Sequence, residues 1–335
     1  MSPPGDHPTI PAPQIGVLLI NLGTPDAPEP AAVRRYLAEF LSDPRVIEIP
    51  KIAWKPILHG IILRTRPRKS AHAYAQVWED EGSPLAAITA RQARAVQERL
   101  GEPILVDWAM RYGNPGISAA IGKMIAAGVT RILAAPLYPQ YCAATTASAM
   151  DATFAAVASR RWQPALRTLP PYYDDPVHID ALAANLKRQL AGLSFEPDRL
   201  LLSFHGMPER TLKLGDPYHC HCQKTARLVG EALGIPTAVS FQSRFGRAKW
   251  LEPATDETLA AYPSQGIKRL AIAAPGFSAD CLETIEELGI RGRETYLAAG
   301  GTHFARLDCL NDSDEGTQML DALVRRELAG WWPSS

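Results

Sequence analysis

The chain has 335 residues, a hydrophobic fraction of 46%, 35 basic against 35 acidic residues, and a pI near 7.1. That length exceeds the usual size of one core, so two domains are expected, and the apolar content excludes a disordered polymer. Zero formal charge leaves no footprint for nucleic acid, and no run of about 18 apolar residues is available to span a membrane.

Residues 1–13, opening Met-Ser-Pro-Pro-Gly-Asp-His-Pro, read as a loose Pro-rich, disordered arm without the basic and apolar regions of a signal peptide. Five cysteines fit reduced thiols better than a disulfide framework, so a cytoplasmic protein is expected. Short apolar runs then alternate with helical patterns, the mark of parallel sheets covered by helices. Strands are expected at 15–20, 103–109, 130–135 and 164–169, then at 199–204, 236–241, 268–274 and 303–307. Asp180–Leu193 and Lys224–Leu233 read as amphipathic helices. The segment Asp314–Trp332 is helical in pattern with no strand after it, and is expected to cross back onto the first lobe. The fold class is therefore α/β, with about four parallel strands in each of two similar lobes and a cleft between or beside them. Residues 14–163 with 313–332 would form the first lobe and 164–312 the second.

Between Gly23 and Gly113 the first lobe carries 90 residues, against 40 between Gly206 and Gly246 in the second. The surplus includes the apolar stretch Ile49–Leu63, and from Lys51 to Lys69 there are six Lys/Arg and no acid. This insert reads as a helix packed on its own lobe with a solvated basic end, a lip over the cleft, a membrane-surface patch, or a cradle for carboxylates.

The two lobes share a pattern. Gly128 through Ala-Ala-Pro136 to Cys142 matches Gly266 through Ala-Ala-Pro275 to Cys281; Leu18-Leu-Ile-Asn-Leu-Gly23-Thr-Pro25 matches Leu201-Leu-Ser-Phe-His-Gly206-Met-Pro208; and Arg111-Tyr-Gly113 matches Arg244-Phe-Gly246. The second copy has His205 where the first has Leu22, and Asp280 and Glu283 where the first has neutral residues. Ligands of open α/β sheets bind at the carboxyl ends of the strands, where His205 falls. A histidine there can accept a proton, bind a divalent metal, or serve only as a hydrogen-bonded turn residue. A short helix is expected from Cys281 to Leu288 with Gly289 as its stop, placing Asp280, Glu283 and Glu287 on one face. A capping pair would explain Asp280 and Glu283, but not Glu287; a ladder of hard oxygen ligands would suit a divalent metal passed along a path. His219-Cys220-His221-Cys222 has no second ligand pair at zinc-site spacing, so a stable metal site is not expected there.

Taken in order, Leu19-Ile-Asn-Leu-Gly-Thr-Pro25, Tyr74-x3-Trp78-x3-Gly-Ser-Pro-Leu85, Arg111-Tyr112, Tyr138-Pro-Gln-Tyr141, Ser203-Phe-His-Gly-Met-Pro208, Gly215-Asp-Pro-Tyr218, Ser240-Phe-Gln-Ser243 with Trp250, and Asp280-Cys-Leu-Glu-Thr284 resemble the ferrochelatase family across about residues 15–310. The resemblance implies two Rossmann-like lobes and a lyase that inserts Fe²⁺ into protoporphyrin IX in the last step of haem synthesis, without a cofactor. It implies that His205 accepts pyrrole protons, binds the metal, or both, that Glu283 faces it across the porphyrin, and that Glu287, with Asp280, continues an acidic metal path. Tyr74, Ser83 and Arg66 resemble the groups that hold propionates; Arg111, Tyr112, Trp250 and Phe277 resemble pocket residues.

Three departures bear on it. Cys281 stands where many members have a second histidine. Cys142 sits one place before the position of the family's cluster cysteine, and the chain ends Trp-Trp-Pro-Ser-Ser without the cysteine-rich tail, so a [2Fe–2S] cluster of that form is not expected. Hydrophobic anchoring as in some eukaryotic members is also lacking, which leaves peripheral contact with the inner membrane as the expected form of any membrane association. Other functions compatible with the same cleft are a non-catalytic tetrapyrrole carrier and a chelatase for another metal or for coproporphyrin III or sirohydrochlorin.

Overall fold

The computed structural model describes residues 14–332 except Arg247, so the expected 1–13 arm lies outside the described residues. Eight strands form: β1 (Gln14–Thr24), β2 (Ile104–Gly113), β3 (Val129–Pro136), β4 (Ala165–Thr168), β5 (Arg199–His205), β6 (Thr237–Gln242), β7 (Arg269–Ala273) and β8 (His303–Arg306). They build two four-stranded parallel sheets of the same order, β2-β1-β3-β4 and β6-β5-β7-β8. The central strands are buried on both faces, which is why Val17-Leu-Leu-Ile20 and Leu200-Leu-Leu202 read as unbroken apolar runs rather than alternating ones.

One core serves both sheets: Val17, Leu19 and Leu133 of the first join Leu200, Leu202 and Phe204 of the second in a single apolar cluster. The helix Asp314–Glu327 adds Leu320, Leu323 and Val324 to that cluster and packs against the helices Pro84–Leu100 and Pro176–Ala191. The boundary expected at 163/164 needs correction. β4 pairs in register with β3, Leu133 opposite Arg167, so it completes the first sheet and the lobes divide after Thr168.

The strand register also refines the repeat. Leu18 lies opposite Asp107 and Leu201 opposite Ala238, so Arg111 corresponds to Gln242, and the Arg-aromatic-Gly match is displaced by two positions. The Leu22–His205 correspondence stands in register, because Gln242 pairs with His205 while Arg111 falls opposite Leu22, between the pairs Asn21–Met110 and Gly23–Tyr112.

The insert forms one continuous helical rod from Lys51 to Val77, with a wider π turn at Leu58–Ile62. One side docks on its own lobe through Leu58, Leu63 and the Trp54 indole, which donates to the Leu41 carbonyl at 2.6 Å. The other side leaves Ile52 88% and Ile61 57% exposed.

Candidate functional site

The carboxyl ends of both sheets open onto one inner chamber of about 90 Å³. From the first lobe, Leu22 and Thr24 at the end of β1 line it together with Tyr36, Tyr74 and Ser83; from the second come His205, Phe277, Cys281 and Glu283. A larger outer groove, about 430 Å³, lies between the insert and the loops that follow β5 and β6. Met207 and Pro208 line it, so successive residues of the His205 loop face both spaces.

His205 is the last residue of β5, and its Nδ1 lies 2.7 Å from the Gly206 carbonyl. A carbonyl only accepts, so Nδ1 is the donor, and in the neutral ring the lone pair lies on Nε2. Gly206 makes this turn feasible: its N–H donates to the Gln242 carbonyl at 2.7 Å, and a Cβ there would stand 2.5 Å from that oxygen and 3.3 Å from the Trp250 ring. Trp250 is buried, donates from Nε1 to the Phe245 carbonyl at 3.1 Å, and forms a wall of the outer groove.

Glu283 opens a π-helical segment, Glu283–Gly292, that runs directly into the helix Arg293–Ala298. The stop expected at Gly289 is absent; a Cβ at Gly289 would come within 3.0 Å of Arg306, which packs over it. The expected single acidic face is absent too, because these turns are wider than α turns and Asp280 precedes them. Asp280 is buried, and both its oxygens are engaged. Arg306 and Thr284 donate to Oδ1 at 2.7 and 2.6 Å, and Asn311 Nδ2 and the Cys309 amide donate to Oδ2 at 2.7 and 3.2 Å. It is a structural anchor with no oxygen left for a metal. The Glu287 carboxylate accepts from the Ser243 amide at 2.8 Å and its hydroxyl at 2.5 Å, and faces a separate polar cavity behind Gln242. Glu283 differs from both: it faces the inner chamber and has no salt-bridge partner among the described residues, whereas Asp280 has Arg306 and Glu286 has Arg291.

Tyr74 and Ser83 also reach the inner chamber. Burial, reinforced by the nearby Glu283 carboxylate, pushes the Tyr74 phenol well above its usual range, so it stays a neutral donor. Ser83 caps the helix Pro84–Leu100, accepting from the Ala86 amide at 3.3 Å. Arg66 lies apart from them, in the outer groove, its guanidinium 5.2 Å from the centre of the Phe245 ring. Arg111 and Tyr112 line neither space. They turn to Asp43: Arg111 forms an ion pair with it and Tyr112 donates to it at 2.8 Å, while Ser148 joins the cluster by donating to the same carboxylate at 2.6 Å.

Among the described residues, no three His, Cys, Asp or Glu side chains converge as a metal would require. Cys222 is fully buried, Cys220 is exposed, and His221 stacks on Tyr173 at 3.5 Å, so the His-Cys-His-Cys run splays around its helix. The sequence reading missed Tyr36 and Tyr138, both on the inner chamber; the Tyr138 hydroxyl is buried without a protein partner, which leaves it for ligand or water. It also missed Arg45, Glu48 and Arg210 at the outer groove, where Glu48 of the first lobe pairs with Arg210 of the second. Tyr138 stands in a motif already noted; the groove residues carry no sequence signal.

The Ferrochelatase family model matches residues 14–328. The chain belongs to the ferrochelatase family. It is 52% identical over 333 residues to the ferrochelatase of Rhizobium meliloti (strain 1021), covering 97% of this chain and 98% of that one. It is 53% identical over 326 residues to the ferrochelatase of Methylibium petroleiphilum, covering 96% and 90%. Among solved structures, SirB from Bacillus subtilis with Fe³⁺ superposes with a TM-score of 0.57 at 14% identity, covering 95% of this chain and 97% of that one. CbiX, the terminal enzyme for biosynthesis of siroheme in denitrifying bacteria, gives 0.51 at 15%, covering 94% and 100%. At such identities the likeness is one of fold, and it extends over both lobes.

Proposed function

We propose that this chain inserts Fe²⁺ into protoporphyrin IX, with His205 and Glu283 as the working pair. Family membership makes it a metal chelatase of haem synthesis, a lyase acting on a porphyrin and iron. The observation that carries the site assignment is that His205 and Glu283 line one chamber, with the Nδ1–H···O=C bond orienting the imidazole there.

Insertion exchanges two pyrrole protons for one Fe²⁺, and a flat ring shields its nitrogens from a hydrated ion. Gripping the ring out of plane exposes a nitrogen lone pair, so a cleft complementary to the bent ring lowers the barrier. The outer groove takes the bulk of the macrocycle against Trp250 and the insert, because the inner chamber alone is too small. Arg66 pairs with a propionate at the groove, while the neutral Tyr74 and Tyr138 hydroxyls donate to polar groups inside. His205 Nε2 then accepts the two pyrrole protons in turn, releasing the first to solvent before it takes the second, and the Glu283 carboxylate, held without a counter-cation, replaces water on Fe²⁺ and takes up positive charge as the ion arrives. Glu287 would act one step outside, once released from Ser243.

The proposed reaction needs no resident cofactor. The exposed isoleucines of the basic insert support peripheral membrane contact, and nothing in the charge supports nucleic acid. The test is an anaerobic assay with Fe²⁺ against protoporphyrin IX, coproporphyrin III and sirohydrochlorin, run on the wild type, His205→Ala and Glu283→Gln. Turnover on protoporphyrin IX that both substitutions abolish, with porphyrin binding retained, is expected. Full activity in both variants would remove the site assignment; binding without turnover on any ring would favour a carrier.

A further inference from the structure

We propose that Gln242 is the positioning residue that sets His205 and Glu283 against one another; the proposal rests on the site reading above. His205 and Glu283 come from different elements, the end of β5 and the start of the π-helical segment, which have no sequence link that would hold their spacing. Gln242 touches both. Its main-chain carbonyl accepts from the Gly206 amide at 2.7 Å, which fixes the turn carrying His205, and the strand register sets it opposite His205 itself. Its side chain reaches the other way: Nε2 donates to the Glu283 carbonyl at 2.9 Å, while Oε1 accepts from Ser203 Oγ at 2.8 Å. The amide cannot be turned over without placing its oxygen against a carbonyl oxygen, so its two ends are distinguished by their partners.

The residue is 2% exposed, and Ser203 extends the network to Thr255 and, through it, Ser240 at 2.8 Å each, so the amide is bonded at both ends. Ser243 continues the grip one turn further along, where its amide and hydroxyl hold Glu287. Ser243 takes a left-handed backbone, φ 64°, which a serine adopts only when its surroundings impose it. The Ser240-Phe-Gln-Ser243 motif thus acquires a role. Its last two residues clasp the acidic segment at 283 and 287, and its glutamine joins that segment to the histidine turn. Gln242 lines the outer polar cavity and not the inner chamber, so it acts through its neighbours rather than on the substrate.

The experiment uses the full chain with Gln242→Met, of the same length but without hydrogen bonds, Gln242→Glu, which places a second acceptor against the Glu283 carbonyl, and Ser203→Ala, which leaves the bond to Glu283 in place. Steady-state insertion is measured with Fe²⁺ and porphyrin varied separately, porphyrin affinity by fluorescence quenching, and folded fraction by thermal melting. Misplacing a reacting group by a fraction of an ångström to an ångström costs about tenfold to a hundredfold, so kcat should fall by that factor in both Gln242 variants and KM for Fe²⁺ should rise. Porphyrin affinity should stay within about twofold, and Ser203→Ala should keep most of the activity. Wild-type kcat and Fe²⁺ KM in Gln242→Met would overturn the proposal, as would an activity loss in the folded variant matched by lost porphyrin binding. If Gln242→Met does not fold, Gln242→Glu carries the same readings. Failure of the site reading is separable: it shows in His205→Ala and Glu283→Gln, whatever Gln242 does.

Discussion

The two lobes share a sheet order and a glycine at the carboxyl end of each central strand, yet the residues around that glycine do opposite things. In the first lobe a Cβ at Gly23 would strike the Tyr112 carbonyl, and in the second a Cβ at Gly206 would strike that of Gln242, so both turns press backbone on backbone. Beside Gly23 stand Leu22 and, across the ladder, Arg111, whose charge is turned to Asp43 and Ser148 and away from the cleft. Beside Gly206 stand His205 and Gln242, one facing the chamber and the other tied to Glu283. The first lobe has one polar member in that pair, Arg111, and it is spent on the lobe's own framework. The second turns one member, His205, to the chamber and uses the other, Gln242, to hold the acidic segment. On the proposed reading, a duplicated frame therefore supplies one wall that grips and one that reacts.

The comparison breaks most sharply at His205. Replacing it with leucine, the first-lobe residue, should lower kcat by about 10²–10⁴-fold, the usual range for a general base, while porphyrin quenching persists. Retained turnover in an anaerobic assay would mean the lobes do not differ in the way described. Arg111 is the converse case. Arg111→Met strands the Asp43 carboxylate, 4% exposed, without its cation, and should cost about 3–5 kcal/mol of stability, read as a lowered melting temperature. Adding Asp43→Asn should recover much of it, and activity per folded molecule should hold. A loss of porphyrin affinity at full folding would instead return Arg111 to the cleft.

These contrasts were only partly legible in the sequence. All eight strands could be read because buried parallel strands leave long apolar runs, and His205 could be read because it interrupts a repeat. β4 was assigned to the wrong lobe because a four-residue edge strand with exposed ends carries little pattern of its own. The acidic ladder misled because spacing was counted at an α-helical period, whereas the segment winds as a π-helix and Arg306, 26 residues away, neutralises Asp280. Arg111 and Tyr112 were carried to the pocket by resemblance, and the partner that draws them off, Asp43, lies 68 and 69 residues away. Gln242 was visible as part of a motif without a role, since a bond to a main-chain carbonyl leaves no mark on the sequence of its partner.

A smaller effect probes the framework that joins the lobes. His178 is 1% exposed, and burial lowers its imidazole from 6.5 to about 4, so it is neutral in the folded chain. The unfolded chain takes up this proton below pH 6.5 and the folded chain does so only near 4, so stability is full above the higher value and drains away as pH falls between the two. The loss should reach about 3 kcal/mol, visible as a steeper acid limb in urea midpoints. His178→Gln should flatten that limb between those values; an unchanged slope would mean the ring is charged in the fold.

The smallest predicted effect concerns the one face of the first lobe with no counterpart in the second. Ile52, Ile57 and Ile61 are exposed along the insert, among Lys51, Lys55, Arg64, Arg68 and Lys69, with no acid between Lys51 and Lys69. Apolar side chains ringed by cations suit the headgroup boundary of an anionic bilayer, where each basic residue near the surface contributes about 1 kcal/mol that salt screens. No helix among the described residues is long and apolar enough to cross a membrane. The protein should sediment with phosphatidylcholine vesicles containing phosphatidylserine more than with phosphatidylcholine alone, and less as salt rises. Ile52→Glu with Ile61→Glu should cut that binding several-fold while leaving turnover of detergent-solubilised porphyrin unchanged, since neither side chain lines the chamber or the groove. Equal sedimentation with both vesicles, or with both proteins, would leave the exposed isoleucines to the lip of the cleft alone.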